Sequence, residues 1–109
     1  MAYQVTELSL QLIEALQPLI PRIKQRHRST ADQIVRAATS IALNLGEAQY
    51  SDPGNRLARL HTAAGSAGET LVGLQVVARW RFLPEKETAA ADALCRRVIA
   101  ILWRMTHPR

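Results

Sequence analysis

The segment from residue 33 to residue 48, QIVRAATSIALNLGEA, places apolar residues alternately three and four positions apart. On an α-helix this spacing aligns their side chains in one continuous apolar row. A second row, entirely polar, runs beside it at the same spacing. The apolar row is Ile34, Ala38, Ile41, Leu45 and Ala48, and the polar row is Gln33, Arg36, Ser40, Asn44 and Glu47. The segment therefore predicts a helix that buries one face and has a specific polar flank.

Three other segments have helical spacing, and no segment alternates apolar and polar residues as strands do. Their apolar rows are Val5, Leu8, Leu12, Ala15 and Leu19; then Leu57, Leu60, Ala64, Ala67, Leu71, Leu74 and Ala78; then Ala91, Leu94, Val98, Ile101 and Met105. At 109 residues the chain is long enough for one domain but not for two. We therefore predict an all-α fold, an up-and-down antiparallel four-helix bundle that forms a single domain over residues 1–109.

The boundaries of the first two helices follow from proline and capping residues. Pro18 and Pro21 each lack a backbone donor, so the first helix should kink or stop there. The residues that follow, up to position 28, are predicted to form a connection. Ser29 or Thr30 is the predicted N-cap of the second helix.

Basic residues gather in two places. The chain has a formal net charge of +5 and a sequence pI of about 10.4. Four Lys or Arg lie between residues 22 and 28, and two arginines flank Trp80 just before Phe82. The candidate phosphate-binding residues are Arg22, Lys24, Arg26, Arg28, Arg79 and Arg81. Alternatively, the first cluster is a solvated connection. In an antiparallel bundle the ends of the first and third helices lie at the same end of the molecule, so the two clusters could meet.

The two aromatic rings near Arg79 and Arg81 have two interpretations. Trp80 and Phe82 could close the open end of the bundle as apolar packing. An exposed Trp could instead stack on an unpaired base, while the arginines bind phosphates.

The sequence has no recognisable catalytic or metal-binding motif. His27, His61 and His107 are not spaced as metal ligands with each other or with Cys95, and no glycine-rich phosphate loop is present. We expect no enzymatic activity, no metal and no cofactor. The single cysteine excludes an internal disulfide. Without a leader sequence or a membrane-spanning apolar run, a cytoplasmic protein that does not bind membranes is expected.

Several residues are assigned structural or assembly roles: Arg36, Asn44, Glu47, Gly65, Gly68 and Glu69. Each glycine inside a helix costs about 1 kcal/mol relative to alanine, so Gly65 and Gly68 suggest close packing within the bundle or between subunits. Asn44 could satisfy a buried backbone group or fix the helix register. Arg36 and Glu47 could join a network with Glu69. The alternative is that this polar row faces RNA.

Residues 33–48 and 60–84 resemble the four-helix-bundle family encoded in intervening sequences of bacterial 23S ribosomal RNA genes. That family includes the accessory variability protein of diversity-generating retroelements. The resemblance rests on Gln33, Arg36, Ala37, Ala38, Ser40, Ile41, Asn44 and Glu47, and on Gly65, Ser66, Glu69, Leu74, Phe82 and Leu83. Where the family commonly has Pro and Gly, this chain has Ala42 and Ala48, and its YSDPGN loop lacks the family's frequent basic residues.

The resemblance implies a homo-oligomer, in several members a five-membered ring, with a basic surface and proposed RNA or DNA contacts. Two hypotheses follow. In the first, the chain is a non-enzymatic oligomeric bundle that binds nucleic acid, preferably RNA, through its basic end. In the alternative, it is a protein-interaction scaffold whose oligomer presents a surface to a partner such as a reverse transcriptase.

Overall fold

The computed structural model describes residues 4–108, which form five α-helices and contain no strand. The helices are α1 (Gln4–Leu16), α2 (Ile20–Arg26), α3 (Arg28–Gln49), α4 (Pro53–Arg79) and α5 (Glu85–Thr106). The all-α prediction is confirmed. The structure has five helices where the sequence predicted four.

The additional helix arises because the prolines divide the first segment. α1 ends at Leu16, and the turn that follows contains Pro18, which cannot donate a backbone hydrogen bond. The chain resumes helical structure at Ile20 with Pro21 in the first turn, where proline's fixed φ favours a helix. Residues 22–26, predicted as a connection, are therefore helical. This correction places their arginines on a short rigid element instead of a loop.

The cap of α3 is also different from the prediction. His27 is extended, with φ −160° and ψ 101°, and its Nδ1 accepts the backbone N–H of Thr30 at 3.2 Å. The helix therefore begins at Arg28, and Ser29 and Thr30 lie inside its first turn. At the start of α4, Asp52 is the N-cap and accepts the N–H of Asn55 at 2.9 Å.

The helices pack around one core. α3 packs along α4, α4 along α5, α5 along α1, and both α1 and α2 against α3. The predicted apolar row of α3 is confirmed, because all five of its residues are at most 3% exposed. These contacts give an elongated molecule of 42 × 22 × 18 Å.

α4 and α5 are rotated relative to the predicted rows. The buried residues of α4 are Leu60, Ala63, Ser66, Ala67, Thr70, Leu74 and Val77, and those of α5 are Thr88, Ala91, Cys95, Val98 and Leu102. Leu57, the first residue of the predicted α4 row, is 45% exposed. Two overlapping rows on α4 satisfy the helical spacing, and the helix buries the one with smaller side chains. Small side chains allow α3 to approach α4 closely.

Among the glycines of α4 it is Gly73, and neither Gly65 nor Gly68, that packs tightly against another helix. A Cβ atom at Gly73 would lie 2.7 Å from Cγ1 of Ile34, whereas one at Gly65 or Gly68 would meet nothing within 4 Å. Ile34 is 1% exposed and belongs to the core, and the atom nearest to Gly73 is its Cγ1, not the end of a flexible side chain. Gly73 is therefore required for packing. The loss of helix stability that Gly65 and Gly68 cause relative to alanine has no explanation within the monomer.

We predict that Gly73→Ala destabilises the protein although alanine is the better helix former. Overpacking against Ile34 costs about 1–3 kcal/mol, against a gain of about 1 kcal/mol in helix propensity. The matched control is Gly46→Ala on α3, where an added Cβ meets nothing within 4 Å, and which should be neutral or stabilising. Urea unfolding of both variants measures the difference. Equal stability of the two variants would contradict the close approach of Ile34 to Gly73.

Candidate nucleic-acid interface

Arginines from two distant segments line one cavity at an end of the molecule. Arg22 and Arg26 project from α2, and Arg81 lies in the connection between α4 and α5. Together with Phe82 they line a cavity of about 620 Å³, here called the basic cavity. α2 holds this position through Ile23, its one buried residue. The two basic clusters do meet, as the sequence allowed.

The remaining candidate arginines and lysine lie outside the basic cavity. Lys24 and Arg28 are exposed and are not among the residues that line it. Arg79, the last residue of α4, lines a neighbouring cavity of about 360 Å³ together with Arg96 and Asp92. The structure therefore selects three of the six candidate residues for one site.

Arg22 is held by an ion pair across the end of the molecule. Its guanidinium donates two hydrogen bonds to the carboxylate of Glu87 on α5, one of them at 3.1 Å. The bidentate hydrogen bonds raise the pKa of Arg22 and lower the pKa of Glu87. Part of the positive charge of Arg22 is thereby offset. Sequence reasoning missed Glu87 because 65 positions separate the two partners.

Arg26 contacts Phe82 in two ways. Its Nη1 donates to the backbone carbonyl of Phe82 at 3.4 Å, and its guanidinium carbon lies 5.8 Å from the centre of the Phe82 ring. The second distance is within the range of a cation–π contact. These contacts hold the α2 end against the α4–α5 connection without neutralising the charge of Arg26.

Arg81 adopts a backbone conformation that usually requires glycine. Its φ is 60°, and it is the only non-glycine residue between residues 4 and 108 with a positive φ. The N–H of Arg81 bonds to the carbonyl of Ala78 at 3.1 Å, and the N–H of Phe82 bonds to that of Val77 at 2.9 Å. This pair of bonds is the Schellman motif, in which glycine is favoured at the position of Arg81. The left-handed conformation costs about 1–2 kcal/mol for a residue with a Cβ atom.

Three aromatic rings lie nearly parallel beside the arginines. His27 and Phe82 have ring centres 5.7 Å apart with planes at 14°, and Trp80 and Phe82 have centres 6.4 Å apart with planes at 11°. Phe82 is half-buried and packs against the core. Trp80 is 71% exposed, so it does not close the end of the molecule as apolar packing. Of the two interpretations of these rings, packing applies to Phe82 only.

The polar row of α3 forms a hydrogen-bonded contact with α4. Ser66 on α4 donates to the hydroxyl of Ser40 at 2.8 Å. Asn44 donates to that same hydroxyl at 3.1 Å and to the Ser40 carbonyl at 2.8 Å. Asn44 therefore acts within its own helix, where it orients the serine that bonds to α4.

The charged members of this row face solvent. Glu47 accepts from Nε of Arg59 on α4 at 2.9 Å, so its partner on α4 is Arg59, which was not part of the predicted network with Arg36 and Glu69. Arg36 and Glu69 are exposed, and neither forms an ion pair with any residue between 4 and 108. The network predicted from the sequence is therefore limited to one ion pair between α3 and α4.

Two further surfaces carry exposed apolar residues. The first, here called the α3 face, is uncharged from Val35 to Tyr50 and was missed in the sequence. Its members are Val35, Thr39, Ala42, Leu43, Gly46 and Tyr50, which fall within about 100° of one another on a helical projection. Leu43 is 62% exposed and Tyr50 is 86% exposed. Apolar residues off the main row were the signal that could have found it.

The second surface, here called the α4 groove, has a volume of about 620 Å³ and runs beside the N-terminal part of α3. Its α4 side consists of Gly68, Glu69, Val72, Gly73 and Val76. Val72 is 56% exposed. The groove joins Gly68, whose absent side chain leaves open space, to the exposed apolar residues of the same helix.

Side chains suited to catalysis or metal binding are sparse between residues 4 and 108. No group of three or more His, Cys, Asp or Glu in that range could hold a metal ion. Cys95 is buried, and its thiol donates to the carbonyl of Ala67 at 3.3 Å. Burial raises the pKa of Cys95 to about 12, so the reactive thiolate is rare near neutral pH. None of the described helices is both long and apolar enough to cross a bilayer.

The described chain thus defines an all-helical protein with an arginine-lined, aromatic cavity at one end. Residues 2–104 match the family of 23S rRNA-intervening sequence proteins, and the chain belongs to that family. Its fold is similar to the crystal structure of a protein of unknown function from the S23 ribosomal protein family of Bacteroides thetaiotaomicron. The two chains are 21% identical, with a TM-score of 0.87 over 94% of this chain and 97% of the other. No curated protein matches the sequence significantly.

We predict that the Arg22–Glu87 ion pair gives an acid-sensitive contribution to stability. Because the pKa of Glu87 is lowered in the folded state, this contribution is present above the ordinary glutamate pKa of about 4.3. It is lost as the pH falls through the lower folded-state pKa. Glu87→Gln should therefore lower the urea midpoint at neutral pH, and its difference from the parent protein should shrink in acid.

Glu14→Gln on α1 is the matched control, because it removes the same charge from an exposed residue that has no ion pair within residues 4–108. Its effect should be smaller at neutral pH. A difference between Glu87→Gln and the parent protein that grows toward acid would contradict the ion pair.

Proposed function

We propose that this protein is a non-enzymatic helical protein that assembles with copies of itself and binds nucleic acid, RNA in preference to DNA. The observation that carries the proposal is the basic cavity, where Arg22 and Arg26 of α2 meet Arg81. Arginine side chains bind phosphates through charge-assisted hydrogen bonds, and phosphate contacts supply most of the affinity in sequence-independent binding. The family's link to 23S rRNA genes supports RNA as the ligand.

The proposal also includes a bundle topology for the five helices and a relationship to a second group of proteins. α1 and α2 together count as one interrupted helix of the bundle. With α3, α4 and α5 they make an up-and-down four-helix bundle. The cyclic order of helix contacts supports this description. A relationship to the accessory variability protein of diversity-generating retroelements is part of the same proposal, and it rests on the residues of α3 and α4 named above.

The charges of the basic cavity are unequal. Arg26 and Arg81 form no ion pair with any described residue, whereas Arg22 is paired with Glu87. Glu85 also lines the cavity and reduces its positive potential. Arg26 and Arg81 are therefore the main phosphate contacts in this proposal, and Glu87 limits the contribution of Arg22.

We predict that the full chain binds RNA with an affinity that falls steeply with salt. Arg26→Ala and Arg81→Gly should each weaken binding and reduce the slope of log K against log salt by about 0.7–0.9, the value for one lost phosphate contact. Glu87→Gln should strengthen binding, because it removes a negative charge and releases Arg22. Fluorescence anisotropy with labelled RNA at several salt concentrations measures all three effects.

Arg104→Ala near the end of α5, away from the basic cavity, removes the same charge and should leave the slope unchanged. Arg81→Gly should also raise the free energy of unfolding by about 1 kcal/mol, because glycine adopts a φ of 60° without strain. Opposite changes in binding and stability would separate loss of function from loss of fold. No retention of RNA or DNA at low salt would contradict the proposal.

The assembly part of the proposal rests on the α4 groove. Gly65 and Gly68 have no packing role within the monomer, and Val72 is exposed beside them. Close approach of a second copy would bury Val72 and account for both glycines. A five-membered ring follows from the resemblance only.

We predict that light scattering gives a particle several times the chain mass of 12.1 kDa. Val72→Glu should reduce the particle mass, because it places a charge in the α4 groove. Leu57→Glu is the matched control on the same helix, since Leu57 is also exposed but lies outside the groove. A parent particle of 12.1 kDa would contradict assembly.

A second candidate function is a scaffold that presents its oligomer to a partner protein such as a reverse transcriptase. The α3 face favours it, because Leu43 and Tyr50 expose apolar surface that is bordered by Glu47. Exposed apolar surface of this kind often marks a protein contact. A protein partner retained without nucleic acid would favour the scaffold over the first function.

A further inference from the structure

We propose that the basic cavity binds single-stranded nucleic acid and that the exposed indole of Trp80 stacks on an unpaired base. This inference rests on the proposed function and adds that the nucleic acid is single-stranded. Phosphate binding alone would not distinguish a single strand from a duplex. The indole supplies the distinction, because the faces of paired bases are already stacked on one another.

The position of Trp80 is fixed by its neighbours. It is the C-terminal cap of α4, and its backbone N–H bonds to the carbonyl of Val76 at 2.9 Å. Its ring lies nearly parallel to Phe82, with centres 6.4 Å apart. Because 71% of the residue is exposed, this contact leaves most of the indole open to a ligand.

Phe82 gives the indole a rigid support. The N–H of Phe82 closes the Schellman motif, and its ring contacts Arg26, the last residue of α2, and His27, the cap residue that follows. Phe82 also packs against the apolar core. A ring supported in this way loses little conformational freedom when a base stacks on it, which favours affinity.

Two arginines lie close to Trp80, where they could bind the phosphates of a single-stranded ligand. Arg81 follows Trp80 directly in the chain, and Arg26 contacts the ring beneath the indole. Aromatic rings interleaved with cationic side chains are typical of surfaces that bind single strands without strong sequence preference. A base on Trp80 would bring its own phosphates close to these arginines.

Trp103 provides an internal comparison. It is the other tryptophan of the chain and is 61% exposed near the end of α5. Its ring is stacked on His107 at a centre distance of 3.5 Å. Neither tryptophan lines the basic cavity itself, but Trp80 stacks on Phe82, which does, whereas Trp103 lies near the C-terminal end of α5. It therefore offers an exposed indole of similar accessibility outside the proposed site.

The test compares three labelled probes of about 12 nucleotides, a length within the range that single-strand-binding proteins cover. They are oligouridine, an abasic strand with the same number of phosphates, and a duplex RNA. Binding to the full-length protein is measured by anisotropy for the parent, Trp80→Ala, Trp80→Phe and Trp103→Ala. Circular dichroism checks that each variant is folded.

We expect Trp80→Ala to weaken oligouridine binding by roughly 5- to 150-fold, the range for loss of one base–aromatic stack. Trp80→Phe should restore much of the affinity, and Trp103→Ala should have no effect. Binding of the abasic strand should be the same in all four proteins, because it offers phosphates without bases. The salt dependence of oligouridine binding should be unchanged by Trp80→Ala.

A second readout follows the indole directly. In a Trp103→Phe variant, Trp80 is the only tryptophan, and oligouridine should quench its fluorescence while the abasic strand quenches it much less. This measurement does not depend on Trp80 being replaceable.

The outcomes separate this inference from the proposed function. Equal affinity of the parent and Trp80→Ala for oligouridine would overturn the inference while leaving phosphate binding intact. Tighter binding of duplex than of oligouridine, or an equal loss for the abasic strand, would overturn it as well. No binding of any probe at low salt would overturn both the inference and the proposed function.

Discussion

The close approach of α3 to α4 is the contact on which the other features of the structure depend. It exists because Gly73 leaves room for Ile34 and because α4 buries its smaller residues, such as Ala63 and Ala67, against the core. Ser40 and Ser66 then come within hydrogen-bond distance, at 2.8 Å. Small side chains thus determine the rotation of α4, and this rotation decides which residues of α4 remain on the surface.

The basic cavity forms because two interruptions of helical structure lie at the same end of the molecule. Pro18 lies between α1 and α2 and Pro21 lies in the first turn of α2, so that α2 forms a separate short helix. The Schellman motif at Arg81 ends α4 beside it. The ion pair between Arg22 and Glu87 ties α2 to α5 across this end. Arg22 and Arg26 therefore lie on a helix and Arg81 in a hydrogen-bonded turn, which favours the precise phosphate contacts proposed for them over contacts made by a loose connection.

The sequence predicted the features that depend on local residue spacing. It predicted few of the contacts between residues that are far apart in the chain. The apolar row of α3 was predicted residue by residue, because only one row there satisfies the helical period. On α4 two rows satisfied it, and the choice depended on the partner helix, which no local pattern contains. The pairing of Glu87 with Arg22 and of Arg59 with Glu47 was missed for the same reason. The proximity of the two basic clusters was predicted only as a possibility of the topology.

The strained backbone at Arg81 links stability to the proposed function. A Schellman motif with glycine at this position would be more stable, and the chain instead has an arginine with φ 60° between Trp80 and Phe82. Residues in such conformations persist where the surrounding structure holds them, and they are frequent at binding sites. Here the hydrogen bonds to Ala78 and Val77 hold the turn, so that the strain places a cation beside an exposed indole. The same turn that ends α4 thereby places the charge and the ring that a single-stranded ligand would require.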